Sequence, residues 1–185
     1  MRRLFIALSL LLTLGSSAQT MSQVFKQMPA NIVPYLSENN RLDMIDFIDS
    51  KMKAEVRNLY EGKSEMLRMS DDYARLALSE GSLMEMRLLD VSQPVDSTKK
   101  ILCVVRTYGA VFKDSQVEFY SSKWRKLNTK QYVTLPDWMF TASLDEHEPT
   151  LTLASSSLLD KPASEEQKEV NKKLTTFKWE NDRFK

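Results

Sequence analysis

The chain has 185 residues, with 26 Lys+Arg against 25 Asp+Glu, one histidine, one cysteine and four glycines. Its charges are interspersed and nearly balanced, which argues against nucleic acid or an anionic membrane surface as the main partner. One His and one Cys cannot fill a zinc site, and there is no G-x-G-x-x-G or G-x-x-x-x-G-K loop to cradle a nucleotide phosphate.

The first 18 residues read as a secretory signal peptide. Arg2 and Arg3 form a positive start, Leu4 to Leu14 an apolar run, and Ser16-Ser17-Ala18 a small-residue cleavage site before Gln19. The run is too short to cross a hydrocarbon core, which takes roughly 20 residues. No cysteine follows the cleavage site, so lipidation there is excluded. The expected mature chain, residues 19–185, is one domain in the periplasm or outside the cell, with no membrane span. Its 167 residues suffice for one core. A single cysteine allows no internal disulfide, so that core carries the fold alone.

Along the chain, Ser22 can cap a short helix over Thr20 to Met28, which Pro29 and Pro34 end. Asn40 can cap a longer helix over Arg41 to Glu61, with Asp43 at N3 and a possible break near Lys53. Leu42, Ile45, Met52, Val56 and Leu59 recur there at helical spacing, and Gly62 is a natural stop. Asp49–Lys53 and Lys51–Glu55 would be i,i+4 pairs. Ser64 to Ser70, Asp72 to Ser79 and Ser82 to Leu89 read as strands, with Glu80-Gly81 as a hairpin turn. Gln93 to Lys100 reads as a polar loop. Ile101 to Tyr108 is β-branched and dense, as a central strand would be, which makes Cys103 a buried small hydrophobe. Ser115 to Tyr120, Gln131 to Leu135, Thr150 to Leu159 and Leu174 to Glu180 are further strands. Ser164 with Gln167 forms a capping box that opens a polar helix. Leu76 to Leu83 loosely echoes Leu151 to Leu158, as two similar hairpins would. The order predicts an α+β fold: a mainly antiparallel β-sheet packed by an N-terminal helix and one later helix.

Few residues present chemistry. His147 sits in the charged stretch Asp145-Glu146-His147-Glu148, a poor setting for a catalytic imidazole. Asp145, Glu146 and Glu148 offer oxygen ligands to calcium, against the simpler reading of a solvated acidic loop. No catalytic, cofactor-binding or metal residue is nominated. Phe119, Tyr120, Trp124, Tyr132, Trp138, Phe140, Phe177, Trp179 and Phe184 cluster late in the chain. They are either core anchors or, beside Lys123, Arg125 and Lys126, a surface for a glycan or protein. Asp96-Ser97-Thr98 resembles the short O-glycosylation acceptor of exported Bacteroidota proteins, with Ser97 or Thr98 as the acceptor.

Leu42-Asp43-Met44-Ile45-Asp46-Phe47, Gly62-Lys63-Ser64, Leu88-Leu89 and Asp114-Ser115-Gln116-Val117-Glu118-Phe119-Tyr120 with Trp124 resemble an uncharacterised family of exported Bacteroidales proteins, classed as a domain of unknown function. The resemblance spans nearly the whole mature chain. It implies export and a single domain, and brings no active residue. The expectation is a non-catalytic exported binding protein whose partner is an envelope protein, a peptide or a glycan, met through a sheet face or an uncovered edge strand. The alternatives are a glycosidase-like hydrolase using a carboxylate pair and an assembly subunit that oligomerises through a sheet edge.

Overall fold

The computed structural model describes residues 19–155 and 174–185. Thr20 caps α1 (Met21–Lys26), with Gln23 completing a capping box. Ser37 caps α2 (Glu38–Asp49), and Asn40 reaches back as its N3 partner. The two helices bury Met21, Val24, Phe25, Met44 and Ile45.

Six strands follow as an antiparallel meander: β1 (Ala54–Arg57), β2 (Lys63–Met69), β3 (Tyr73–Ser79), β4 (Ser82–Val95), β5 (Thr98–Tyr108) and β6 (Asp114–Ser121). The chain then makes one short helical turn, α3 (Thr129–Tyr132). A second antiparallel sheet holds β7 (Phe140–Leu144), β8 (Thr150–Ser155), β9 (Leu174–Glu180) and β10 (Arg183–Phe184), in the order β10-β9-β8-β7.

The six-stranded sheet is covered on both faces, and strand periodicity sorts its side chains. Leu102 and Val104 of β5 face the helices, with Leu76, Met84 and Met86. Ile101, Cys103 and Val105 face the second sheet, with Phe119, Leu151 and Leu153. Two apolar clusters therefore share one sheet as their common wall. This explains why β5 reads as an unbroken apolar run: neither of its faces meets water. The fold is α+β and mainly antiparallel, as the sequence predicts.

Several local expectations are corrected. The cap of α1 is Thr20, not Ser22. The helix expected over Arg41 to Glu61 stops at Asp49, and Lys51 adopts a left-handed backbone (φ 58°). Val56 and Leu59 belong instead to β1 and the hairpin after it, so Gly62 is a turn residue and not a helix stop. Lys53 pairs with Glu55 and Glu65, and the expected helical ion pairs do not form. The stretch expected as a loop over Gln93 to Lys100 is a hairpin arm. Val95 pairs with Thr98 across Asp96 and Ser97, both with positive φ. Gln131 to Leu135 is not a strand, because α3 takes its start. The helix opened by Ser164 lies outside the described residues, as does the second half of the Leu151 to Leu158 echo.

Candidate functional site

The late aromatics are mostly core. Phe119, Tyr120, Trp124, Phe140 and Phe184 are buried, and Tyr132, Phe177 and Trp179 pack against the inter-sheet cluster. The indole of Trp124 donates to the carbonyl of Val24 at 2.8 Å, and that of Trp179 to the carbonyl of Asp90 at 2.8 Å. Burial with a satisfied N–H is what core Trp residues require. Of the nine, Trp138 alone is exposed.

The acidic stretch is a turn. Asp145 Oδ1 accepts the backbone N–H of His147 (2.8 Å) and of Glu148 (2.7 Å). Those bonds, Glu148 first, hold its carboxyl below the ordinary range. The buried guanidinium of Arg87 donates to the carbonyls of Asp145 and His147 and to Asp72, tying this loop to the first sheet. Among the described residues no three His, Cys, Asp or Glu side chains come together to hold a metal. Ser97 is exposed at its hairpin tip. Thr98 Oγ1 is instead engaged with the Val95 and Lys100 carbonyls and with Ser122. Cys103 is fully buried, and burial pushes its thiol well above the usual range.

A cleft of about 520 Å³ between the sheets is lined by Arg75, Glu85, Thr107, Lys113, Ser143 and Thr152, among others. Glu85 is buried there. Its carboxylate accepts the hydroxyl of Tyr73 at 3.0 Å and the Leu144 N–H at 3.3 Å, and lies 3.6 Å from the Arg75 guanidinium. Burial still dominates and raises its pKa. The folded state therefore holds this proton more tightly than the unfolded chain does. The stabilisation is present at acid pH and is lost as pH rises above the ordinary glutamate value of 4.5. Glu85→Gln is expected to remove that loss, so the variant should gain in melting temperature over the parent as pH rises from 4.5. Parallel melting curves across that range would rule it out. A carboxylate-pair hydrolase needs two acids in one cleft. This cleft, the groove below and a third hollow beside α2 are each lined by one: Glu85, Glu118 and Glu38.

The larger cavity is a groove of about 670 Å³ along the outer edge of β6. Its origin can be followed residue by residue. Ser121 closes β6, and its Oγ accepts the N–H groups of Lys123 and Arg125. The chain reverses through Trp124, at φ 64°, whose buried indole anchors the turn. It then runs back beside β6: Ser121 donates to the Arg125 carbonyl (2.8 Å) and Leu127 to the Phe119 carbonyl (2.8 Å). At Asn128 the pairing ends. Asn128 Oδ1 caps the N–H of Lys130 and turns the chain into α3. Tyr132 stacks on Phe119 with centroids 4.9 Å apart, and Val133 is buried. The segment from Asn128 to Leu135 thus becomes a wall standing away from the strand.

Strand parity says what the wall leaves open. Backbone N–H and C=O groups alternate sides along a strand. Those of Phe119 and Ser121 point away from β5, since they bond Leu127 and Arg125. The groups of Val117 and Ser115 therefore point the same way, into the groove. At the far end the Ala142 N–H bonds Ser115 Oγ at 2.9 Å and brings β7 across. Val117, Val133, Leu135 and Phe140 give the groove an apolar side. Glu118, Lys126 and Lys130 give it a charged one. Glu118 pairs with both Lys126 (2.6 Å) and Arg106. Burial pushes Glu118 up, but Lys126, Tyr120 and Arg106 outweigh it and leave its carboxyl below the ordinary range. Sequence reasoning singled out Lys126 and Phe140 but missed the groove. The stretch Asp114 to Tyr120, part of the family resemblance, is the strand that forms its floor.

No helix among the described residues is long and apolar enough to cross a membrane. No curated protein is similar to this sequence. A solved domain of an uncharacterized protein from Porphyromonas gingivalis W83 is similar in fold. Its TM-score is 0.73 at 20% identity, over 91% of this chain and 98% of that one. The family model described as "Protein of unknown function (DUF3256)" matches residues 13–177, in agreement with the resemblance read from the sequence, and the chain belongs to that family.

Proposed function

We propose that this protein is exported and acts as a non-catalytic binding protein, receiving an extended segment of an envelope protein or a peptide as an added strand on β6. The observation that carries the reading is the open edge of β6 at Ser115–Val117, whose backbone groups face a groove within the usual range for ligand sites, about 300–1,000 Å³. Strand addition uses such groups for affinity and alternate side-chain pockets for choice of sequence. A peptide backbone repeats the alternating donors and acceptors of this edge at strand spacing, a periodicity that the hydroxyls of a glycan do not share.

Export rests on the signal pattern of Arg2 to Ala18. It is supported by where the packing begins: Met21, two residues after Gln19, is fully buried. The domain from Gln19 onward is read as one folding unit, since its two clusters share a sheet. Mass spectrometry of the protein recovered from the cell envelope should find Gln19 as the first residue. A chain retaining Met1 would overturn export.

For binding, the Val117 amide should exchange with solvent faster than the Gln116 and Glu118 amides, which face β5. Extended peptides should slow it. A peptide panel that never perturbs the Val117 and Phe119 amides would sink the reading.

A further inference from the structure

The groove has a polarity that selects among extended segments. Cross-strand neighbours share a face of the sheet. On β6, Val117 and Phe119 face the inter-sheet cluster, and Glu118 and Tyr120 face the other way. A residue added opposite Val117 would turn its side chain to the same face, toward Val133, Leu135 and Phe140. The residues on either side of it would turn theirs to the face of Glu118, where Lys126 lies.

The groove as a whole carries surplus positive charge. Glu118 is the one acid lining the groove, and it is already shared between Arg106 and Lys126. Lys130 also lines the groove, is exposed, and has no ion-pair partner among the described residues. Two cations over one anion, plus a free ammonium, favour a ligand that brings carboxylates.

The occupant's shape is constrained as well. The open stretch runs only from Ser115 to Glu118, between the β7 crossing at one end and the Leu127 pairing at the other. A second copy of this chain would bring its own β6 edge together with its own wall, and the two walls would collide. A bare extended segment of about four residues, roughly 13 Å long, fits.

We propose that the partner is an extended acidic peptide segment, with an apolar residue seated opposite Val117 and an Asp or Glu adjacent to it facing Lys126 and Lys130. This rests on the strand-acceptor reading above.

The test uses three capped peptides of about ten residues, each with a central leucine flanked by two aspartates, two serines or two lysines. They are titrated into the isotope-labelled mature protein at low and high salt. The aspartate peptide should bind tightest, shift the Val117 amide, and weaken with salt. Lys130→Glu should weaken it about three- to tenfold and strengthen the lysine peptide, with the melting temperature unchanged. If all three peptides bind equally and move Val117, the charge preference is wrong while the strand acceptor stands. If none moves Val117, both fail.

Discussion

Val117→Pro is expected to weaken peptide binding at least about tenfold while the protein stays folded, and Gln116→Pro, one residue away, is expected to unfold it far more readily. Proline removes a backbone N–H, and what that costs depends on where the N–H points. At Val117 it points into the groove, so no bond to β5 is lost. The expense is some buried volume, about 1–2 kcal/mol on the scale of small core truncations. The ligand loses a donor and meets a ring in the space its backbone needs, so affinity should fall at least about tenfold, the equivalent of 1.4 kcal/mol. At Gln116 the N–H points to the Arg106 carbonyl across the β5–β6 register. Removing it leaves a buried acceptor unpaired, about 1–3 kcal/mol, and drives the ring against β5. Gln116 has an exposed side chain, so this variant isolates the backbone effect. Thermal melts and peptide titration of both variants decide the matter. Equal destabilisation would mean that the parity of β6 is misassigned, and with it the open edge.

The second large effect is on the shared sheet. Val105→Asp should leave the domain unfolded or nearly so. Val105 is 1% exposed, pairs with Val117 on one side and Glu85 on the other, and faces the second sheet. A carboxylate there lies across from the buried acid Glu85, whose neighbouring cation, Arg75, is already engaged with it. An unpaired buried charge costs about 3–5 kcal/mol. Total stability of a domain is about 5–15 kcal/mol. Circular dichroism of the purified variant should show a lost cooperative melt. A variant that melts like its parent would place Val105 at the surface and not in the inter-sheet cluster.

The sequence by itself determined most of the sheet. β2 to β6, β8 and β9 were readable because alternation, or an unbroken β-branched run, states how many faces of a strand are buried. The burial of Cys103 followed from the same run. What local pattern left ambiguous is instructive. Met52, Val56 and Leu59 fall at helical spacing after Leu42 and Ile45, a pattern that continues a single helix. The turn at Ser50–Lys51 and the pairing of Val56 with Ser64 ended it, and a four-residue strand is too short for its own period to compete. Gln131 to Leu135 lost its strand to the Asn128 cap, a local hydrogen bond that outweighed the β propensity of two or three residues.

Of the candidate site the sequence showed the strand that floors it, but not which of its edges is open. Ser115 to Tyr120 would alternate identically whether its outer edge were paired, covered or open. Only the tertiary structure decides that, through Trp124 anchoring the reversal on Val24 and Asn128 steering the chain off the strand after Leu127. Side-chain patterns record which faces are buried, and an edge is made of backbone, which every residue carries alike.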